Sequence, residues 1–275
     1  MKALAEVKQY LRLDKFPHIW CSGCGHGIIL QSFIRAVLDL DVDRDKLVVV
    51  SGIGCSSRAV GYIDFDTLHT AHGRSVAFAT GIKMAKPEFT VVALVGDGDI
   101  SAIGGNHLIH AARRNIDITV VVFNNYNYGM TGGQNSPTTR ADDYTVTTPY
   151  GNIERPFDLC ALAKAAGATY IARSTTYHAV GLPKLIADGI RHHGFSLIEI
   201  ITGCPTYYGR MNKMDDGVKM LEWQRDHAIN LKQSQALSEE EKKGKFVIGL
   251  IHLGEEPEYT DEYLKIIQKA QGKTA

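Results

Sequence analysis

The segment from Val95 to Gly105, VGDGDISAIGG, crowds two carboxylates, Asp97 and Asp99, among glycines at the end of an apolar run. Glycine lets a backbone come close to a phosphate, but a carboxylate repels a phosphate unless a cation stands between them. About thirty residues on, a second apolar run ends in Asn124-Asn125. Asp97 offers a hard anionic oxygen, Asn125 a neutral amide oxygen, and a chain turning through Asn127 a backbone carbonyl. Those oxygens, with two from a diphosphate and one water, would complete the octahedral shell that Mg²⁺ requires. Gly-Asp-Gly alone is a common turn; the Asn-Asn pair at the next strand end gives it meaning.

The chain carries five cysteines: Cys21, Cys24, Cys55, Cys160 and Cys204. An odd number, in a compartment expected to be reducing, argues against a disulfide framework and for metal or redox use. Cys160 lies in FDLCALAKAAG among apolar neighbours and reads as a small core hydrophobe. The other four lie in WCSGCGHG, SGIGCSSR and TGCPT, in loops that follow strands or precede a helix. Four thiolates suit Zn²⁺ or an iron–sulfur cluster equally, and spacing does not separate the two. A thioredoxin-like pair would leave Cys55 and Cys204 idle.

These side chains need elements to position them. Short, almost uniformly apolar runs at residues 47–51, 90–95, 118–123, 169–172, 196–201 and 246–251 read as strands buried on both faces. Helical spacing marks 27–40, 75–83, 106–113, 157–166, 179–191 and 218–231. The alternation predicts an α/β fold, a mostly parallel sheet with helices on both faces, and ligands at the carboxyl edge. The connections at 124–156 and 201–216 read as loops, and one as long as the first is rare unless functional. The reading divides the chain into a ligand-binding domain at 1–237 and a C-terminal arm at 238–275.

Lys plus Arg and Asp plus Glu balance at 30 each, which gives no reason to expect nucleic acid or an acidic membrane as partner. No apolar run approaches the roughly 18 residues of a membrane span. The start, MKALAEVKQYLRLDKFPH, is charged throughout and lacks the apolar core of a signal peptide, so a cytoplasmic location is expected.

The GDG and NN pairing resembles the thiamine-diphosphate motif. With WCSGCGHG, SGIGCSSR, HTAHGR, VGDGDISAIGGNH, RRNIDITVVVFNN, YGMTGGQNSPTT and GCP, the chain resembles the β subunit of 2-oxoacid:ferredoxin oxidoreductases from about Trp20 to Tyr208. The resemblance implies a thiamine-diphosphate-binding fold, with Asp97, Asn125 and the Asn127 carbonyl holding Mg²⁺ on the cofactor. It implies a 4Fe-4S cluster on Cys21, Cys24, Cys55 and Cys204, placed to collect electrons at the same sheet edge. It implies cofactor contacts from Ile53, Gly54, Cys55, Ser56, His72, Gly98, Asp99, Gly129 and Met130. Arg58, three residues after Cys55, occupies a position that carries a basic residue facing the substrate, and a guanidinium suits a carboxylate.

The activity implied is oxidative decarboxylation of a 2-oxo acid with coenzyme A, electrons passing one at a time through the cluster to ferredoxin. The same site run in reverse would fix carbon dioxide. The run IGCSSRAVGYIDFDTLHTAHGR is most similar to members acting on 2-oxoglutarate, with pyruvate or branched-chain 2-oxo acids as the alternative substrates. In the family an α subunit supplies the glutamate that activates the cofactor, so this chain is expected to be inactive alone. The competing readings are a non-oxidative thiamine enzyme, a dinucleotide-binding domain and a zinc-stabilised binding module without catalysis. The first has no use for four cysteines, and the second needs a bare glycine turn where Asp97 and Asp99 stand.

Overall fold

β-Branched runs without a polar break pair with one another at the centre of the computed structural model, which describes residues 4–272. The strands are β1 (Leu47–Ser51), β2 (Asp66–His69), β3 (Thr90–Gly96), β4 (Thr119–Asn124), β5 (Asn127–Tyr128), β6 (Gln134–Asn135), β7 (Tyr170–Thr175), β8 (Ser196–Ile201), β9 (Ala228–Asn230) and β10 (Phe246–Leu253). The helices are α1 (Leu4–Lys8), α2 (His26–Leu40), α3 (Ala59–Tyr62), α4 (Ser75–Ala85), α5 (Gly105–Arg113), α6 (Leu159–Ala165), α7 (Leu182–Arg191), α8 (Gly217–His227), α9 (Leu231–Ala236), α10 (Glu239–Lys242) and α11 (Tyr259–Ala270). The main sheet runs β2-β1-β3-β4-β8-β7-β10-β9, and β5 and β6 form a small hairpin. Every pairing in the main sheet is parallel except β10 against β7.

Successive strand residues point to opposite faces, and the two faces have separate cores. Val49, Val92, Leu94, Val121 and Phe123 pack on one side with Ile29, Phe33 and Ile34 of α2 and Leu182 and Ile186 of α7. Val50, Ala93, Val95, Val120 and Val122 pack on the other with Val76 of α4, Leu108 of α5 and Leu159 of α6. Each large apolar side chain buried in this way contributes about 1.5–3 kcal/mol. Among the described residues no helix is long and apolar enough to cross a membrane.

Three elements differ from the sequence reading. β2, Asp66-Thr67-Leu68-His69, has no apolar run because it is an edge strand with partly exposed side chains. The single helix expected over 218–231 stops at His227, because residues 228–230 pair with β10 instead. α6 begins later than Pro156 suggests, since Asp158 caps it by accepting from the Ala161 N–H at 3.1 Å.

The sequence reads residues 238–275 as an arm, of which 273–275 lie outside the described residues. Within them β10 joins the main sheet, and α11 is pinned by Glu258. Glu258, buried at the N-cap of α11, accepts from the Asp117 N–H ahead of β4 and from the Asp261 N–H, both at 2.9 Å. Glu258→Ala should therefore cost about 2 kcal/mol, because it removes a cap and leaves a second amide unpaired. Thermal unfolding should show Tm lower by about 4–8 °C; an unchanged Tm would show that α11 adds nothing to stability.

Candidate active site

Register assembles the site. Ser51 of β1 stands beside Leu94 of β3, Gly96 beside Phe123 of β4, and Asn124 beside Ile201 of β8. Residues 52–56, 97–99, 125–127 and 202–204 therefore emerge side by side at one carboxyl edge. π-Helical turns follow two of these exits, at Asp99–Ile103 and Pro205–Gly209; such turns are rare and concentrate at functional sites.

A cavity of about 280 Å³ opens at this edge. Ile53, Gly54, Cys55, Ser56, His72, Gly98, Asp99, Gly129 and Met130, the residues expected at a cofactor, all line it, together with Asp97, Asn125 and Asn127. Asn125 Oδ1 lies 3.1 Å from Asp97 Oδ1 and 2.7 Å from the Asn127 carbonyl oxygen. Oxygens this close repel one another unless a proton or a cation lies between them. Turning the amide over would let its N–H groups donate to both. A divalent ion does the same work without the turn: adjacent octahedral ligands about 2.1 Å from Mg²⁺ stand about 2.9 Å apart. The donor set fits that ion.

Asp97 is held in place by two hydroxyls. Its Oδ2 accepts from Ser136 Oγ at 2.7 Å and Thr138 Oγ1 at 2.6 Å, which leaves Oδ1 toward Asn125. Burial pushes its carboxyl up to about 6, against the opposing pull of the Thr138 and Ser136 hydroxyls. A cation on Oδ1 would reverse that shift. Asp99 has a different role. Its Oδ1 accepts from the Gly73 N–H at 2.7 Å and pairs with His72 Nδ1 at 2.6 Å. The carboxylate joins the loops that follow β2 and β3, and burial raises its pKa although the Gly73 N–H works the other way. Tyr128, which the sequence reading did not single out, lies against Gly98 and donates to its carbonyl at 3.3 Å.

A second cavity, of about 210 Å³, is ringed by Cys21, Cys24, Cys55 and Cys204. The two cavities share Cys55, Asn125, Gly129 and Met130 as a wall. Trp20 braces this ring by donating from Nε1 to the Cys55 carbonyl at 2.7 Å. Burial pushes the Cys24 thiol up to about 12 and the Cys55 thiol up to about 11, and the neighbouring thiols add to both shifts. Among the described residues, no three of these sulfurs lie within 4.8 Å of one another. A single Zn²⁺ needs all four about 2.3 Å from one point. The wider ring suits a polynuclear cluster.

His26 lines the first cavity and touches a thiol of the second, and the sequence reading does not single it out. Its ring lines the first cavity, and its Nδ1 lies 3.2 Å from Cys24 Sγ. Burial lowers its pKa to about 3, so the imidazole is neutral. Gly25 makes the close packing here possible, since a Cβ at that position would come under 3.0 Å from the Thr176 and Thr202 side chains. The signal in the sequence was GHG directly after the second cysteine of WCSGC. Arg58 ends the turn that follows Cys55; it lines neither cavity, and its Nε is buried without a partner. Cys160 is buried away from the ring, with Sγ 3.4 Å from Glu199 Oε2.

Comparison with known proteins gives a consistent answer. Residues 52–200 match the C-terminal TPP-binding domain of thiamine pyrophosphate enzymes. The chain is 50% identical to the 2-oxoglutarate synthase subunit KorB of Methanocaldococcus jannaschii, over 96% of this chain and 98% of that one. It is 61% identical to the subunit of the same name from Archaeoglobus fulgidus, over 74% of this chain and 76% of that one. A chain of the 2-oxoglutarate:ferredoxin oxidoreductase from Magnetococcus marinus, solved with 2-oxoglutarate, coenzyme A and succinyl-CoA bound, superposes with a TM-score of 0.86 at 35% identity. That match covers 98% of this chain and 92% of the other.

A Cβ at position 98 would sit under 3.0 Å from three atoms of the Tyr128 ring. Overpacking of this kind costs about 1–3 kcal/mol. Gly98→Ala should weaken thiamine diphosphate binding about tenfold by calorimetric titration of the assembled enzyme; equal affinity would show that Tyr128 and Gly98 do not shape the pocket.

Proposed function

The chain belongs to the β subunits of 2-oxoacid:ferredoxin oxidoreductases, and we propose that it carries the thiamine diphosphate, Mg²⁺ and 4Fe-4S sites of an enzyme that uses 2-oxoglutarate. In the proposed reaction 2-oxoglutarate and coenzyme A give succinyl-CoA and carbon dioxide, and two electrons leave singly for ferredoxin. The reverse reaction uses the same site to fix carbon dioxide. The observation that carries the reading is the shared wall: Cys55 and Asn125 belong to both cavities, so electrons released in one have a short path to the other.

Thiamine diphosphate, when bound, supplies the electron sink that decarboxylation of a 2-oxo acid requires. The chain's own residues do the rest. Asp97, Asn125 and the Asn127 carbonyl hold the ion that neutralises the diphosphate. Ile53 and Met130, each 44% exposed, offer an apolar rim that cofactor rings would cover and that excludes water. The thiols of Cys21, Cys24, Cys55 and Cys204 hold the cluster. Arg58 lines neither cavity, and from its place three residues after Cys55 it is the group proposed to receive a substrate carboxylate. An α subunit completes the site with the activating glutamate. The zinc-module reading has no support from the wide thiol ring or from the relatives.

The deciding experiment is an anaerobic assay of the co-expressed αβ pair with a panel of 2-oxo acids, coenzyme A and a one-electron acceptor. Activity greatest with 2-oxoglutarate supports the substrate; equal rates with pyruvate remove it. Cys204→Ser should lower iron and acid-labile sulfide and bleach the brown absorbance, whereas Cys160→Ser should leave them intact. The opposite pattern would mean that the cluster uses a different set of cysteines. Arg58→Ala should raise KM about tenfold for 2-oxoglutarate, as expected for loss of a charge-assisted pair worth about 1.5–3 kcal/mol. KM for pyruvate should change less, and equal effects would remove Arg58 as the specificity group.

A further inference from the structure

One buried residue that lines the first cavity and touches a thiol of the second has no assigned role. His26 is 1% exposed, packed between Trp20 and Phe123 with ring centroids at 5.8 Å and 5.1 Å. This packing fixes the ring plane and aims Nδ1 at Cys24 Sγ, 3.2 Å away. A second donor approaches the ring of thiols from the same side: Asn127 Nδ2 lies 3.7 Å from Cys204 Sγ. Both donors belong to residues that also line the first cavity.

Resting on the cluster reading above, we infer that His26 is a positioning residue whose Nδ1–H donates to the Cys24 thiolate and raises the cluster's reduction potential. A coordinating thiolate has no proton to give, so the proton on this contact belongs to the imidazole. The bond fixes the tautomer: Nδ1 carries hydrogen, and Nε2 is left as an acceptor. Reduction adds negative charge to the cluster, and an N–H aimed at a ligand sulfur stabilises the reduced form more than the oxidised one. In a buried site that difference is little screened. The donor stands on the side from which electrons arrive, where it makes the cluster a better acceptor for them.

The test uses the αβ complex and reads a potential, not a rate. His26→Phe keeps an aromatic ring between Trp20 and Phe123 and removes the imidazole donor, leaving the residue 26 backbone N–H, which also acts on Cys24. His26→Asn returns an N–H near the position of Nδ1. In redox titrations followed by electron paramagnetic resonance, His26→Phe should lower the reduced-to-oxidised ratio at fixed ambient potential about tenfold, roughly 59 mV for a one-electron couple. His26→Asn should recover most of that loss. A ratio unchanged in His26→Phe, or equally low in both variants, overturns the inference. If His26→Phe assembles no cluster, the unmutated complex decides, with histidine labelled with ¹⁵N in the ring only. A ¹⁵N coupling to the reduced cluster is expected, and its absence overturns the hydrogen bond. An unmutated complex with no iron–sulfur signal would instead overturn the cluster reading itself, and this inference with it.

Discussion

Parallel pairing of β1, β3, β4 and β8 is the constraint on which the rest depends. In a parallel sheet every strand leaves at the same edge, so four loops distant in sequence must share one small volume. The register leaves little freedom in how they meet. With Gly96 beside Phe123 and Asn124 beside Ile201, Asp97 is carried to the Asn125 turn and Cys204 emerges next to it. An antiparallel arrangement would send alternate loops to opposite ends and separate the oxygens from the thiols. The helices on both faces bury the strands and so hold the register that this edge requires.

Behind the oxygens is a layer whose function is orientation. Thr138 Oγ1 bonds Asp97 Oδ2, and Asn124 presents its Oδ1 to the Tyr126 N–H at 3.1 Å. Asn124 Nδ2 donates to Glu199 Oε1 at 2.7 Å, and Glu199 is paired with Arg173, which also meets Asp158. A buried carboxylate in the middle of β8 would be costly alone, and Arg173 offsets that cost. The pair keeps the Asn124 amide from turning over, which keeps the backbone from Asn124 to Asn127 in the turn that delivers Asn125 and Asn127 to the cavity. Asn127 then serves both sites, its carbonyl toward Asn125 and its side-chain amide toward Cys204.

How much of this was legible in the sequence follows from what each residue type reveals alone. Central strands were readable because burial on both faces demands unbroken apolar runs, as in Val91 to Val95. β2 was not, because an edge strand tolerates Asp66 and His69. Asp97, Asn125 and the four cysteines could be singled out because ligand chemistry favours few residue types, and the structure brings them to the two cavities. Ser136, Thr138, Tyr128 and His26 were not, because a hydroxyl or ring that orients a ligand resembles any other polar residue until its partner is known. The motifs quoted for the family resemblance contained all four, so the words were in view and only their contacts were missing. Asp99 was expected at the cofactor and lines that cavity, yet its carboxylate is engaged by Gly73 and His72. Spacing cannot show which way a side chain turns.

Both cavities carry the same electrostatic signature, and it explains why they suit cations rather than merely admitting them. Burial raises Asp97, Cys24 and Cys55 alike. The neighbours acting on Cys24 and Cys55 include other thiols, and those on Asp97 are hydroxyls and a backbone amide, with no Lys or Arg among the leading influences at any of the three. The contrast with Glu199 is instructive, since that buried acid has its arginine supplied by the chain. Where a protein buries acids and gives them no internal counter-charge, protons compete for them with a metal, and a bound cation offsets the burial cost of the charged form. A cation bound at this edge would therefore displace protons from the Cys24 and Cys55 thiols and stabilise the Asp97 carboxylate.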